Sequence, residues 1–202
     1  MIENIEEKRI RIRNKKLCKR YPFLIPRDRF TDKIPEDYDY SYTELDAMEP
    51  GWRKAFGLLM CEEIRNVLVR FNCLYKYRIN QIKEKYARLC WYDSAPKNVM
   101  EEIFDIIWKY EYISGFTCQK CGKLDVPVLI DGWSMVICED CYEKWRRKLS
   151  WMTPYSEAKK EKDEMMNYII IEEHSIKNGK SEHGINITDT INKIRSGYHV
   201  KI

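Results

Sequence analysis

Cys118-Gln-Lys-Cys121-Gly122 and Cys138-Glu-Asp-Cys141 decide how this chain is read. Each Cys-x-x-Cys turn aims two thiols at one point, and residues 122–137 are long enough to bring the two points together. Four thiolates at this spacing are the ligand set of a tetrahedral Zn2+. The intervening segment reads as a hairpin: 126–130 (Val-Pro-Val-Leu-Ile) and 133–137 (Trp-Ser-Met-Val-Ile) are short strand-like runs, and Asp131-Gly132 is a two-residue turn signal. Tyr142, Trp145 and Leu149 then recur at helical spacing. Knuckle, hairpin, knuckle, helix is the order of a treble-clef or zinc-ribbon module. The predicted Zn2+ is structural, because four thiolates close the tetrahedron, whereas a catalytic zinc keeps one position open for water. In isolated finger peptides such a site contributes on the order of 10–16 kcal/mol at neutral pH. Two redox dithiols are the alternative, and a matched pair around a hairpin suits them less well.

Outward from the cysteines, the totals bound the rest. A chain of 202 residues makes one moderate domain or two small ones, and 44% hydrophobic residues support a folded core. The net charge of +4 permits contact with nucleic acid without requiring it, and argues against a mimic of DNA. Fourteen tyrosines and six tryptophans serve a core or an adhesive surface. The first residues carry charges and no apolar run, so no signal peptide is expected, and no apolar stretch is long enough to span a membrane. Thiolates kept for a metal point to a reducing, cytoplasmic setting. Cys18, Cys61, Cys73 and Cys90 show no paired spacing and are expected to be core or near-surface thiols.

The expected fold class is α+β, a small domain of helices and strands with an integrated four-cysteine zinc-ribbon or treble-clef module. Residues 1–20 form a basic N-terminal arm, either a solvated helix or a segment that meets phosphates or an acidic partner. Residues 21–114 form the α+β core domain, 115–150 the zinc module, and 151–202 an extension packing on the core. Within the core domain, the run between Pro22 and Pro26 is expected to be extended. Tyr38, Tyr40 and Tyr42 alternate with acids in a strand or ordered loop. Trp52, Ala55, Phe56, Leu59, Met60, Ile64, Val67, Leu68 and Phe71 recur at helical spacing and mark the clearest amphipathic helix. Residues 76–92 are either a helix leading into a strand or two strands around a Lys-Glu-Lys turn. Ser94-Ala-Pro96 signals the entry of a second helix, ending near Ser114-Gly115 and holding the module rigidly. Residues 156–173 read as a helix that ends in a strand, residues 178–181 as a turn, and 188–195 as a last helix capped by Thr188.

Gly51-Trp52, Gln81-Ile-Lys-Glu-Lys-Tyr86, Cys118-x-x-Cys121-Gly122 and Gly132-Trp133 before Cys138-x-x-Cys141 occur in that order. Over residues 21–155 the chain resembles a group of phage and prophage proteins with a zinc-ribbon-like module. It departs from the group at Ala87, where glycine is usual, and at Cys90, where arginine is usual. If the Lys-Glu-Lys segment is a tight turn in the group, alanine at 87 is a poor fit for its left-handed residue, which glycine favours. The resemblance implies a phage-borne accessory protein, placed in the cytoplasm of a bacterial host, and no particular reaction.

No phosphate-binding loop, nucleophile elbow or His-Glu-x-x-His motif is present, and the histidines are only His174, His183 and His199. A non-enzymatic protein is therefore expected, binding a host protein or nucleoprotein complex, for example as inhibitor of a CRISPR-type defence complex. The alternative is a nucleic-acid-binding accessory protein. Lys83, Lys85, Arg88, Lys144, Arg147 and Lys148 are the candidate contact residues for either partner.

Overall fold

The period-four stripe Trp52, Phe56, Met60, Ile64, Leu68 builds the centre of the molecule. In the computed structural model, which describes residues 4–28, 30–131, 133–148, 152, 154–161, 187–198 and 200, these side chains are buried almost completely. They lie on one helical run over 50–70, labelled α2: an α turn Pro50–Trp52, a π segment Arg53–Gly57 and an α-helix Leu58–Arg70. A stripe of period four drifts around an ideal helix of 3.6 residues per turn. The wider π turn absorbs part of that drift. Helix α3, Met100–Ser114, packs Ile103, Ile107, Tyr110 and Ile113 into the same core, with Phe56 and Tyr110 stacked at 5.4 Å. Its start lies after Pro96, which makes a turn with Val99, so the proline signal announces the helix early.

Helix α1, Ile5–Arg20, has Asn4 as its cap, acids in its first turn and bases in its last, as the helix dipole favours. Its buried residues are all in its second half: Asn14, Leu17 and Cys18 are buried, and Arg20 and Tyr21 both bond Glu62 of α2. The run after Tyr21 is a 3-10 turn, Pro22–Leu24, and not extended, because proline at the first helical position favours a helical turn. The tyrosine-acid segment is a loop in which the Tyr38 ring packs at a tilt against Tyr40 and edge-on against Tyr42.

Residues 78–94 are two antiparallel strands, β1 (Arg78–Lys85) and β2 (Arg88–Ser94). The turn is Tyr86-Ala87, both left-handed with φ of 51° and 63°, and Lys83 to Lys85 stay in the ladder. The far edge of β2 is closed by α3 side chains: Ser114 Oγ accepts from Leu89 N (2.8 Å) and Glu111 Oε1 accepts from Trp91 N (2.8 Å).

A second sheet has the order β4-β3-β5, all antiparallel: β3 (Val128–Asp131), β4 (Trp133–Val136) and β5 (Lys159–Glu161). Asp131 pairs with Trp133, so Asp131 is a ladder residue; Gly132 lies outside the described residues. Helix α4 is Glu139–Arg146, starting three residues before Tyr142. Residues 159–161 are a strand where the sequence predicts a helix, because they add to the β3 edge. The remainder of the expected helix-to-strand segment, the turn at 178–181 and Leu149 lie outside the described residues. Helix α5, Ile187–Arg195, inserts Ile187 into the main core and leans Ile191 and Ile194 against it. Thr188 is inside that helix and not its cap, since Ile187 is already helical. Among the described residues no helix is long and apolar enough to cross a membrane.

Candidate metal centre

The first knuckle is a tight loop. Cys118 N donates to Lys123 O (2.8 Å) and Gly122 N donates to Cys118 O (3.0 Å), with Gly122 left-handed at φ 84°. Glycine meets that backbone demand without steric cost. The second knuckle is the start of α4. Cys138 is the residue before the helix, Cys141 lies in the first turn, and Cys141 N and Tyr142 N both donate to Cys138 O. Gln119 N donates to Val136 O (2.8 Å), which ties the first knuckle to β4 and brings the pairs face to face.

The four Sγ atoms of Cys118, Cys121, Cys138 and Cys141 all lie within 4.8 Å of one another, and Cys121 Sγ is 3.6 Å from Cys138 Sγ. Zinc bound at about 2.3 Å by four sulfurs needs tetrahedron edges of about 3.8 Å. The group could therefore hold one metal ion and is compatible in size with zinc. Burial raises the Cys118 thiol, but the backbone N–H groups of Cys138, Cys121 and Lys120 outweigh it and bring it down to about 7. Those donors favour the thiolate that a metal requires. Cys138 and Cys141 are pushed up, chiefly by burial, so without a cation the cluster does not ionise fully at neutral pH.

The knuckle is pressed against the N-terminus of α2. Gly51 N donates to Gln119 O (2.7 Å), and Trp52 Nε1 donates to Thr117 O (2.7 Å) in a buried bond. A Cβ on Gly51 would lie 2.1 Å from Cys118 O, and one on Gly122 would lie 2.7 Å from Gly51 O. Lys120 closes the contact with an ion pair to Glu49 (3.0 Å). The spacing of the cysteines carries no hint of this buttress; Gly51-Trp52 in the sequence is its signal. Ala87 belongs to the module's apolar cluster with Val126, Val128, Leu129 and Tyr142, so the tip of the β1–β2 ribbon also rests on the module.

The candidate contact residues fall into two groups. Lys83, Lys85 and Arg88 are on the ribbon; Lys144 is on α4, and Arg147 and Lys148 follow it. Cys18, Cys61 and Cys73 are buried and Cys90 half-buried, and burial raises all four thiols. None of them joins a metal-holding group among the described residues. His174, His183 and His199 lie outside the described residues. No family model matches this chain, and comparison with curated proteins and with solved structures found no match either.

Proposed function

We propose that Cys118, Cys121, Cys138 and Cys141 hold one structural Zn2+ in a treble-clef-like module, and that the protein works by binding an anionic macromolecule, not by catalysis. The metal reading is supported by the closed four-sulfur set and by Cys138 and Cys141 flanking the first turn of a helix. The binding reading is carried by the pairing register of the ribbon. Lys83 stands opposite Cys90, Lys85 opposite Arg88 and Gln81 opposite Tyr92. Directly paired residues share a face, and the alternate pair Ile82 and Trp91 is buried. Three cations thus share one face by register. Arg88 lies at its margin, with its Nε buried near Gly115. None of the three forms an ion pair within 4.0 Å among the described residues.

A protein target, in the manner of an inhibitor of a host defence complex, is the second reading. Met100 and Phe104 favour it: they are one turn apart on α3 and remain 50% and 59% exposed. A phage-type accessory role and a reducing cytoplasm fit both readings, since thiolates must stay unoxidised to bind metal. The test is capture from bacterial lysate on zinc-loaded protein, with and without nuclease. Nuclease-sensitive material lost at high salt is the expected result. A discrete protein that survives nuclease and salt would establish the second reading. Recovery of neither would overturn the binding role.

A further inference from the structure

The outer face of the ribbon has a second property besides charge. Lys83 Nζ lies 5.0 Å from the centre of the Tyr92 ring, and Lys85 Nζ lies 5.2 Å from that of Tyr86. The rings are themselves open, Tyr86 at 74% and Tyr92 at 45% exposure. Cations alternating with accessible aromatic faces on a two-stranded ribbon suit a particular polyanion: phosphates engage the cations and unpaired bases stack on the rings. A duplex offers phosphates but no free base faces. An acidic peptide offers charge but nothing that repeats the ring contacts.

The face is also polarised. At the Tyr92 end it opens into a groove of about 650 Å3 lined in part by Asn80, Gln81 and Ser94, within the size range of small-ligand sites. Asp28 and Asp32 line the same groove. Glu44, Arg27 and Arg78 line it too, and both arginines pair with Asp32, so the groove is close to charge balance and suits the polar edge of a base better than a phosphate. The ribbon tip rests on the cysteine module through Ala87, so a metal held there would steady the platform.

We propose that the outer face of β1 and β2 is a platform for single-stranded nucleic acid, with phosphates on Lys83 and Lys85, Arg88 at the margin, and bases against Tyr86 and Tyr92. This rests on the reading that the protein acts by binding. The test uses fluorescein-labelled 12-nucleotide single-stranded RNA and DNA, and a duplex of equal length, titrated with zinc-loaded full-length protein and followed by anisotropy. Saturable binding of a single strand is expected, tighter than duplex. Two neutralised phosphates give a log–log salt slope of about −1.4, so affinity falls roughly seven-fold between 50 and 200 mM salt. Lys83→Glu with Lys85→Glu reduces binding about ten-fold or more and flattens the slope. Tyr92→Ala weakens it about five-fold or more but leaves the slope unchanged, because stacking releases no counterions. Zinc content and the far-ultraviolet spectrum of each variant report an intact fold, and Lys83→Gln with Lys85→Gln repeats the test without charge reversal. Equal binding of wild type and charge variants, preference for duplex, or no saturable binding at 50 mM salt would each overturn the proposal. If the charge variants instead lose a nuclease-resistant protein partner, the platform proposal falls while the binding role stands.

Discussion

The two apolar clusters of this protein are held by different means. The main core is filled by large side chains: Trp52, Tyr21, Tyr77, Tyr110, Phe56 and Ile64 are fully buried and come from helices and the turns that join them. Around the cysteines the cluster is made of smaller groups, with Val126, Val128, Leu129, Met135 and Val136 in or beside short strands and Tyr142 as the largest buried ring. The first region closes by burying area. The second has too little to bury, and its four sulfurs point at a place where a cation can supply what is missing. Metal dependence should therefore be local to the module, unless the Gly51 contact carries it into the core.

Cys138→Ser tests this contrast most severely. The coordination energy, on the order of 10 kcal/mol, is lost with the fourth ligand, and bound zinc falls from one per chain toward none. Hydrogen exchange should lose protection around Cys118, β4 and α4 and keep it in α2. Simultaneous loss in α2 would show the two clusters to be one unit. Ile64→Ala opens a cavity in the main core and should cost about 2–5 kcal/mol in denaturant unfolding, with zinc stoichiometry unchanged at room temperature. Gly51→Ala addresses the junction: a methyl 2.1 Å from Cys118 O forces the knuckle and α2 apart. About 3 kcal/mol is expected for such overpacking, together with weaker zinc retention against a chelator, which Ile64→Ala does not produce.

Acid should separate the regions by sign. Burial raises the Asp93 carboxyl to about 6, outweighing the Tyr77 hydroxyl, which pulls the other way. Its Oδ2 has no hydrogen-bond partner, and the nearby Glu111 carboxyl is raised too, first by burial. A carboxyl raised in the fold stabilises it in the protonated form, and that contribution is lost as pH rises through about 6. Lowering the pH from 7 to 5 should therefore firm this part of the core while thiolate protonation loosens the module. Asp93→Asn should remove most of the core's response, on the order of 1 kcal/mol after allowing for partial exposure. The smallest effect belongs to the ribbon tip. Tyr86 is exposed at φ 51°, so Tyr86→Asn, which tolerates that conformation, should stabilise by about 0.5–1 kcal/mol in thermal unfolding.

What could be read from residues alone followed the same division. The cysteine quartet, the hairpin between its pairs and the α2 stripe each rest on local spacing, and local spacing survives folding. The ribbon was ambiguous because Lys83 to Lys85 favour helix and loop as much as strand, and because its turn uses Tyr86-Ala87 instead of Asn-Gly. The docking of α1 was not legible in so sparse an apolar pattern, since Leu17 and Cys18 suffice once Arg20 and Tyr21 grip Glu62. Nor was β5, whose strand identity is conferred by β3 and not by Lys159-Lys-Glu161. The common face of Lys83, Lys85 and Arg88 depends on pairing register, which no linear spacing within one strand reveals.

A two-stranded ribbon in water ordinarily recruits a third strand or aggregates through its unpaired row of amides. Here Ser114 and Glu111 occupy that row on β2 with side-chain oxygens. Strand exchange is closed on that side: a peptide arriving in extended form finds no free donors at Leu89 or Trp91. Whatever visits the ribbon there must land on its broad side, and the residues of α3 that block the margin make a cohesive surface out of what would otherwise be a template for fibrils.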